Sequence, residues 1–514
     1  MLITPVRLFS LSLLVTSGAA CAQSYTVTEI THDILGSPIV QEDMDGDGLA
    51  DVVVPHWDRN TGRELLVHYQ QPGGRFDAVP RRIEIKPEII AVGFADLRPA
   101  PGKELLLFTN SGVFSLEAGI ESYTGNLKPV IEWPLIASMP DREQVEIVHD
   151  IRDLDGDGHL DLLLPGPETY GYFKGGPDET FSLVQEFSTI NRELAPSERP
   201  VGEEGLSVSM GIDREKGIEV QLSAERSTPF AGFVQQWQLP RGRHAIMESD
   251  QWMPSAHFAE ADGDGRADIV FLNVGNDIRG QINLVLQHDD GHFSDRPDWR
   301  GPIDTQGDIR LVDFNNDELI DIIRLRGDGD ERSAQFFGNT GGRFDFDNPD
   351  QVMRFSGYDT RLNFIDIDND GMPELNVSFY TIPIVDALRN ASVVRTQLLY
   401  DSRDAEPGQV FGRRPASRLE ETFSASNVRG LAEQMTFAYD IDADGVQDAM
   451  YITDDGSLAA KKIAADLRIA SEPFWQYVPA RTIIQFSVGF LNDDAYPDLI
   501  LRHSTTTSLL VSQP

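Results

Sequence analysis

DMDGDGLADVVVP, residues 43–55, is the most informative stretch of the chain. It places acidic side chains at the first, third, fifth and ninth positions of a nine-residue phrase, and branched apolar residues follow at once. The phrase occurs six times, as DMDGDGLAD (43–51), DLDGDGHLD (153–161), EADGDGRAD (260–268), DFNNDELID (313–321), DIDNDGMPE (366–374) and DIDADGVQD (440–448). Carboxylates gathered in so short a loop repel one another unless a cation lies between them.

The phrase predicts a calcium site. Calcium is a hard cation that takes about six to eight oxygen ligands, which a loop with alternating carboxylates can supply. The predicted side-chain ligands are Asp43, Asp45, Asp47 and Asp51; Asp153, Asp155, Asp157 and Asp161; Glu260, Asp262, Asp264 and Asp268; Asp313, Asn315, Asp317 and Asp321; Asp366, Asp368, Asp370 and Glu374; and Asp440, Asp442, Asp444 and Asp448. The predicted backbone-carbonyl ligands are Leu49, His159, Arg266, Leu319, Met372 and Val446. We therefore expect about six calcium ions as cofactors.

The loop is not an EF-hand. An EF-hand needs a bidentate Glu at its twelfth position and a helix beyond it, whereas this position holds Val54 in the first copy and Leu164 in the second. Short branched runs follow each loop and are typical of buried strands. The alternative is a polar turn between strands without metal, since Asp, Asn and Gly are common in turns. Six copies in register favour the metal site.

The copies are regularly spaced. The first residues at 260, 313 and 366 are 53 residues apart, and the steps from 43 to 153 and from 153 to 260 are 110 and 107, close to two units each. Degenerate copies that keep the strands but lose ligands fill these gaps around Asp96 and Asp213. A last degenerate copy has Phe490 at the first ligand position, so we expect weak metal binding or none there. The count is nine units.

Each unit contains an apolar strand into the loop, a strand out of it, a turn and one or two further strands. About four short strands per fifty residues is typical of a propeller blade. The predicted fold is therefore all-β: a β-propeller of four-stranded blades, with seven to nine blades. Propellers usually have about four to eight blades, so nine units indicate either an unusually large ring or one inserted unit.

The two chain ends are expected to close the ring. The last unit begins near Thr482 and leaves room for only about three strands before Pro514. An alternating strand at 25–30 precedes the first loop and has no partner in its own unit. We expect this N-terminal strand to complete the final blade, which leaves no sheet edge open.

One interval is longer than the others. The step from 366 to 440 is 74 residues, and the extra length falls within 381–430, a segment rich in arginine. Loops added to a rigid scaffold often carry function. The alternative is a longer hairpin with a short surface helix near 417–421, whose arginines pair with neighbouring acids. This second interpretation is the favoured one.

The repeated phrase followed by an apolar strand resembles the FG-GAP or VCBS repeat, the blade unit of integrin-alpha-like propellers and of many secreted bacterial proteins. The resemblance covers nearly all of residues 23–514, which we expect to form a single propeller domain. It implies a β-propeller with calcium in the six full loops. It does not define a function, because the family includes adhesion proteins, lectins and polysaccharide lyases.

The first twenty-two residues have the pattern of a secretory signal peptide: Arg7, an apolar run and small residues before an Ala20-Cys21-Ala22 cleavage site. A lipoprotein acylated at Cys21 is the less favoured alternative. No later stretch approaches the roughly 20 apolar residues needed to span a bilayer. We therefore expect a secreted protein, periplasmic or extracellular, whose residues 23–514 contain no cysteine.

The net charge and the absence of catalytic motifs exclude several classes of function. The formal net charge of −40 argues against nucleic acid and anionic membranes as partners. No nucleophile elbow, zinc-protease helix, phosphate loop or dinucleotide fingerprint occurs, and no catalytic residue can be assigned. The six tryptophans could stack on sugars but more often pack between blades. We expect a binding or adhesion module for a glycan or protein. The alternatives are a polysaccharide lyase or glycoside hydrolase on this scaffold, and a subunit of a larger surface assembly.

Overall fold

The structure is a computed structural model. The described residues are 24–31, 39–117, 126–137, 140, 142–148, 151–166, 169–188, 206–211, 219–224, 245–246, 257–274, 279–304, 306–328, 330–381, 392–424, 435–453, 455–492, 494 and 496–513. The predicted signal peptide, residues 1–22, lies outside them.

Eight mainly antiparallel sheets form the blades of a β-propeller. Blade 1 contains Val40–Glu42, Asp51–Asp58, Gly62–His68 and Arg81–Ile85; blade 2 contains Ile89–Ala95, Glu104–Thr109, Gly112–Glu117 and Leu127–Glu132. Blade 3 contains Leu162–Pro165, Thr169–Gly176 and Thr180–Ser188, with a single-residue bridge from Arg152 to Asp161 in place of a full first strand. Blade 4 contains His257–Ala259, Asp268–Val274, Arg279–Val285 and Trp299–Asp304.

The second half of the ring repeats this plan. Blade 5 contains Asp308–Val312, Asp321–Asp328, Glu331–Phe337 and Gln351–Ser356; blade 6 contains Tyr358–Ile365, Glu374–Thr381, Ser392–Tyr400 and Ser417–Ser424. Blade 7 contains Thr436–Tyr439, Asp448–Ile452, Leu458–Lys461 and Trp475–Tyr477; blade 8 contains Gln485–Gly489, Asp498–Arg502, Thr506–Gln513 and Ser24–Thr31. Two short strands extend blade sheets: Ile147–Val148 pairs with Ile89–Ala95 in blade 2, and Ala245–Ile246 pairs with Asp268–Val274 in blade 4. The remaining elements are the strands Gln70–Gln71, Arg75–Phe76, Leu206–Gly211 and Glu219–Ala224 and a 3₁₀ turn at Pro177–Glu179.

The core lies between the blades. The second strand of a blade is covered on both faces by its neighbours, which is why the residues after each acidic loop form a continuous apolar run. Val52 and Val53 are fully buried in blade 1, and Ile322 and Ile323 in blade 5. Val52 belongs to the apolar cluster shared with blade 8, and Val53 to the cluster shared with blade 2. Successive side chains of one strand therefore stabilise opposite interfaces.

The N-terminal strand closes the ring, as predicted. Ser24–Thr31 pairs antiparallel with Thr506–Gln513 in continuous register, from Ser24 opposite Gln513 to Thr31 opposite Thr506. Ile30 is 2% exposed and packs with Leu509 in the cluster that joins blade 8 to blade 1. The two ends of the chain therefore complete one sheet.

The ring has eight blades, although nine units were counted. Strands Leu206–Gly211 and Glu219–Ala224, which belong to the unit around Asp213, pair only with each other in the described part of the chain. Blades 3 and 4 meet directly: Gln185 Nε2 donates to the Phe293 carbonyl at 2.8 Å. The unit around Asp213 is therefore the inserted one, and the degenerate units at Asp96 and Phe490 form blades 2 and 8.

The helix expected near 417–421 is wrong. Ser417–Ser424 is the fourth strand of blade 6 and pairs with Ser392–Tyr400. The charged residues that favoured a surface helix lie instead on the last strand of a blade, where charges protect an exposed sheet edge from pairing with other chains.

Candidate metal centres

Six acidic loops connect the first strand of a blade to its second strand. They are the loops of blade 1 (43–51), blade 3 (153–161), blade 4 (260–268), blade 5 (313–321), blade 6 (366–374) and blade 7 (440–448). The ninth residue of the phrase begins the second strand, as Asp51 and Asp321 do. All six loops therefore occupy the equivalent corner of their blade.

The first carboxylate folds each loop around itself. In blade 1 Asp43 accepts the backbone N–H of Gly46 at 2.6 Å and that of Gly48 at 3.0 Å. The contact to the sixth residue recurs at 2.7, 3.0, 3.0 and 2.7 Å in blades 3, 5, 6 and 7. Gly46 and Gly48 have φ of +76° and +87°, and Asn316 takes the left-handed conformation in blade 5. This turn is what allows alternate side chains to converge.

Carboxylates of five loops come together in groups of three, and the full ligand sets named from the sequence remain a prediction. Groups of three whose oxygens lie within 4.8 Å of one another include these five: Asp43, Asp45 and Asp51; Asp153, Asp155 and Asp161; Glu260, Asp262 and Asp268; Asp313, Asp317 and Asp321; and Asp366, Asp368 and Glu374. In blade 7 the Lys462 ammonium lies 2.6 Å from Asp444 Oδ2 and 3.7 Å from Asp448 Oδ1. Each of these groups could hold a metal ion.

The fifth carboxylate has a different environment in most loops. Outside blade 5 it is absent from the groups of three just given, and it accepts the backbone N–H of the seventh residue. That distance is 2.9 Å in blades 1, 3, 4 and 6. The seventh residues, from Leu49 to Val446, are therefore held beside the carboxylates, and their predicted role as carbonyl ligands remains a prediction.

The ninth carboxylate has a structural role that the sequence analysis missed. In blade 5 Asp321 accepts the N–H of Phe314 at 3.3 Å and that of Asn339 at 2.7 Å, which ties the loop to the end of the third strand. The equivalent residues of all eight blades are buried: Asp51, Glu104, Asp161, Asp268, Asp321, Glu374, Asp448 and Asp498. Its persistence in the degenerate loops, as Glu104 and Asp498, was the signal that could have revealed this role.

Burial alters the protonation of these carboxyls. It is the main cause that raises the pKa of Asp51 to about 6, of Asp268, Asp321 and Asp448 to about 7, and of Glu374 to about 8. Neighbouring loop carboxylates raise the pKa further, and the backbone N–H groups oppose the shift. A bound cation would favour the ionised form and reverse it.

In the degenerate loop of blade 8, the carboxylates accept hydrogen bonds from protein groups. Asn492 Nδ2 and Ser512 Oγ each donate to Asp494 at 2.9 Å, and Ser512 N donates to Asp498 at 2.7 Å. Phe490, which replaces the first ligand, is 64% exposed. Weak metal binding or none in this loop remains a prediction.

Those arginines of 381–430 that the structure describes do not gather in one cavity. Four of the five described ones pair with acids near them in the blade: Arg395 with Glu421, Arg403 with Asp401, Arg413 with Glu406 and Arg418 with Glu420. The fifth, Arg414, is exposed. Arg389 and Arg429 lie outside the described residues. The pairing of arginines with neighbouring acids agrees with the favoured interpretation of this segment.

The described tryptophans mainly pack against neighbouring structure. Trp133 is buried in the cluster between blades 2 and 3, Trp299 packs on Phe344, and Trp475 packs edge-on against Tyr25. Trp57 is the exception, with the Arg142 guanidinium 6.0 Å from its ring centre. Trp237 and Trp252 lie outside the described residues.

Comparison with known proteins supports the repeat class. Residues 260–324, from the loop of blade 4 into blade 5, match the family model described as FG-GAP-like repeat. Together with the eight-bladed ring, this match is consistent with an FG-GAP/VCBS repeat propeller, so the resemblance read from the sequence is confirmed. No curated protein matches the chain. In the described residues, no helix is long and apolar enough to cross a membrane.

Solved structures resemble the chain only distantly. A lectin of Agrocybe aegerita that recognises non-reducing terminal N-acetylglucosamine is 17% identical, covers 65% of this chain and 90% of its own, and has a TM-score of 0.27. The exotype rhamnogalacturonan lyase YesX is 14% identical, covers 96% of this chain and 74% of its own, and has a TM-score of 0.32. These similarities carry no information on ligand or reaction.

Proposed function

We propose that the chain is a secreted, calcium-stabilised β-propeller that acts as a binding module for a glycan or protein partner. The loop of blade 6 carries the metal part of this proposal. Carboxylate oxygens of Asp366, Asp368 and Glu374 lie within 4.8 Å of one another there, and Glu374 is fully buried. Glu374 Oε1 and Asp368 Oδ1 are buried and have no hydrogen-bond partner. A cation between them would supply the missing interaction.

The donor atoms favour calcium over other metals. The five groups given above contain only carboxylates, with no histidine nitrogen or cysteine sulfur. Oxygen-only sites suit hard cations, whereas zinc and copper prefer sites that include nitrogen or sulfur. In the proposal the first, third, fifth and ninth side chains and the seventh carbonyl hold the ion, and the ninth side chain also fixes the loop to its blade.

The arrangement of the arginines favours a binding module over a lyase or hydrolase. Such an enzyme would need a cleft where basic, acidic and aromatic side chains converge. A cavity of about 410 Å³ is lined by Arg413, Arg354 and Tyr400, but it contains no tryptophan, and Arg413 is paired with Glu406 at 3.0 Å. The described part of the insertion therefore offers no catalytic constellation.

A cavity between three first strands is the first place to seek the ligand. It has a volume of about 580 Å³ and lies among blades 5, 6 and 7. Arg310, Asn363, Phe364 and Asn376 contribute to its lining, and Asn376 Oδ1 is buried without a hydrogen-bond partner. Amide, guanidinium and aromatic groups together suit a polar, uncharged ligand such as a sugar.

The metal part is tested by melting residues 23–514 in 1 mM calcium, in 1 mM magnesium and in EDTA. For dissociation constants of roughly 10⁻⁴ to 10⁻³ M, six sites stabilise the fold by about 2–8 kcal/mol at this calcium concentration. We expect a clear fall in melting temperature in EDTA that magnesium does not restore. An unchanged melt would exclude calcium as a stabilising cofactor.

The pH dependence gives a second readout of the same experiment. Burial raises the pKa of Asp321 to about 7 and of Glu374 to about 8, while unfolded carboxyls titrate near about 4. The calcium-free fold therefore retains protons that the unfolded chain has lost, and it loses stability as the pH rises through these values. We expect the calcium-dependent gain in melting temperature to be larger at pH 8 than at pH 5.5.

The binding part is tested on a glycan array and in a depolymerisation assay, with calcium and with EDTA. Calcium-dependent binding without new reducing or unsaturated ends would support the binding module. New chain ends would overturn it in favour of the lyase or hydrolase alternative. A catalytic background is controlled with heat-denatured protein, which retains no propeller.

A further inference from the structure

The acidic loop of blade 7 has a basic side chain of its own. Lys462 follows the third strand of that blade by one residue, and its ammonium contacts Asp442, Asp444 Oδ2 at 2.6 Å and Asp448 Oδ1 at 3.7 Å. These are the third, fifth and ninth carboxylates of the phrase. Asp448 Oδ1 is buried and has no hydrogen-bond partner. The lysine is thus placed among the oxygens that would bind calcium.

Blades 3 and 6 repeat this arrangement. Lys174 lies on the third strand of blade 3, Thr169–Gly176. It forms ion pairs with Asp155 and, at 3.2 Å, with Asp157. Arg403, three residues after the third strand of blade 6, lies 2.7 Å from Asp368 and 3.7 Å from Asp370. In each case the base meets the third and fifth carboxylates of the loop.

The other three loops differ. In the described part of the chain, no lysine or arginine forms an ion pair with the carboxylates of the phrase in blade 1 or blade 5. In blade 4, Arg266 contacts Asp264, which is not one of the three carboxylates that converge there. Its Nη1 pairs with Asp289 at 2.8 Å. Among the residues that the structure describes, the converging carboxylates of blades 1, 4 and 5 therefore have no basic partner.

In the degenerate loop of blade 2, a guanidinium occupies a ligand position and lies beside the ninth carboxylate. Arg98 stands at the third ligand position, 3.9 Å from the ninth residue Glu104. It also donates to Ser115 Oγ at 3.1 Å and to Glu179 Oε2 at 3.2 Å. The loop keeps its ninth carboxylate and its strands, with a protein cation beside them.

We infer that Lys174, Arg403 and Lys462 are resident counter-ions of the loops in blades 3, 6 and 7, and that calcium must displace them to bind. The inference rests on the proposed calcium sites. An ammonium or guanidinium and Ca²⁺ compete for the same oxygens, so a loop with a resident base binds calcium more weakly. The same base limits carboxylate repulsion in calcium-free solution. The six sites therefore form two classes of three.

The two classes respond differently to falling calcium. The loops of blades 3, 6 and 7 release the ion first but remain neutralised by their own bases. The loops of blades 1, 4 and 5 hold calcium to lower concentrations and lose more stability when it leaves. Displacing two partly exposed ion pairs lowers the affinity of a site by roughly 5- to 30-fold.

The test is a calorimetric calcium titration of the calcium-stripped chain, residues 23–514. The wild type is expected to bind in two phases of three sites each, separated by roughly 5- to 30-fold in affinity. The variant K174M/R403M/K462M is expected to bind in one tight phase and to melt at a lower temperature than wild type in EDTA. If the triple variant does not fold, K462M alone is expected to move one site from the weak phase to the tight phase.

Lys461 offers a matched control. It lies next to Lys462, carries the same charge, and places its ammonium 5.1 Å from the centre of the Tyr451 ring. K461M is expected to leave both phases unchanged. Six equivalent sites in the wild type, or equal effects of K461M and K462M, would overturn the inference while leaving the calcium sites intact. No calcium binding at all would overturn the proposed function and the inference with it.

Discussion

At the scale of single residues, the ninth carboxylate is the most instructive position. In the sequence it looks like one of several ligands, because it is acidic and in register with the others. In the structure it accepts two backbone N–H groups in blades 1, 3, 4, 5 and 8. Blade 8 is included although Phe490 has replaced the first ligand of its loop. A ligand can be lost when a loop stops binding metal, but the acceptor for buried backbone groups cannot.

We predict that Asp321→Ala lowers the free energy of unfolding by about 2–4 kcal/mol even in EDTA, because it strands the buried N–H groups of Phe314 and Asn339. Asp317→Ala is the control, since Asp317 is exposed and accepts only local contacts. It is expected to change EDTA stability by at most about 0.5 kcal/mol, yet to remove the calcium response of blade 5. Urea unfolding with and without calcium measures both. Equal losses in EDTA would refute the structural role.

Position within the phrase was predictable from the sequence, and the role of each position was not. The alternation of acids predicted that carboxylates of one loop lie close together, because a tight turn directs alternate residues inward, but it did not predict that the fifth carboxylate lies outside the group in blades 1, 3, 4 and 6. It gave no means of separating the exposed Asp47 from the fully buried Asp51, since both are aspartates in the same motif. The difference arises from the strand that follows and from Gln70, two residues beyond the third strand, whose N–H donates to Asp51 at 2.7 Å.

At the scale of loops and strands, the acidic loops also join neighbouring blades. Lys103 N donates to the Asp43 carbonyl at 3.3 Å between blades 2 and 1, and Ile320 N donates to the Glu260 carbonyl at 2.8 Å between blades 5 and 4. Gln447 N donates to the Ile367 carbonyl at 2.7 Å between blades 7 and 6. The loops therefore link blades through backbone hydrogen bonds as well as through the apolar clusters.

Two glycines of one loop separate backbone strain from contact between blades. Both have positive φ, so Gly48→Ala is expected to cost about 1–2 kcal/mol through left-handed strain alone. A methyl group on Gly46 would lie 2.4 Å from Gly102 N and from Pro101 Cβ of blade 2, whereas one on Gly48 would meet nothing within 4 Å. We predict that Gly46→Ala is more destabilising than Gly48→Ala by at least about 1 kcal/mol in urea unfolding. Equal effects would show that the two loops do not pack as described.

Strand patterns were read correctly where both faces are buried and incorrectly at a sheet edge. The runs after each loop are apolar on both sides, which only a strand between two neighbours explains. Residues 417–421 read SRLEE, with one apolar residue, Leu419, and this pattern does not distinguish a polar helix from an edge strand. Pairing with Ser392–Tyr400 decides the matter, and that is a tertiary contact.

At the scale of the whole molecule, the number of blades follows from ring geometry and not from the number of repeats. The unit around Asp213 retains two strands, so in sequence it resembles the degenerate unit that forms blade 2. Tyr172 of blade 3 packs directly on Phe293 of blade 4 with ring centres 5.3 Å apart, which leaves no place for a blade between them. Sequence spacing alone could not show which of the nine units is excluded.

Closure of this ring depends on one short strand, and it can be tested within that strand. Ile30 is 2% exposed between blades 8 and 1, whereas Val27 is 47% exposed. We predict that Ile30→Ala costs about 2–5 kcal/mol of unfolding free energy, in calcium and in EDTA alike, because it opens a cavity at the closing interface. Val27→Ala, on the same strand, is expected to change stability by at most about 0.5 kcal/mol.

A chain beginning at residue 32 exposes the edge of Thr506–Gln513, so size-exclusion chromatography should show self-association. A monomeric truncated chain with wild-type stability would mean that the N-terminal strand does not close the ring.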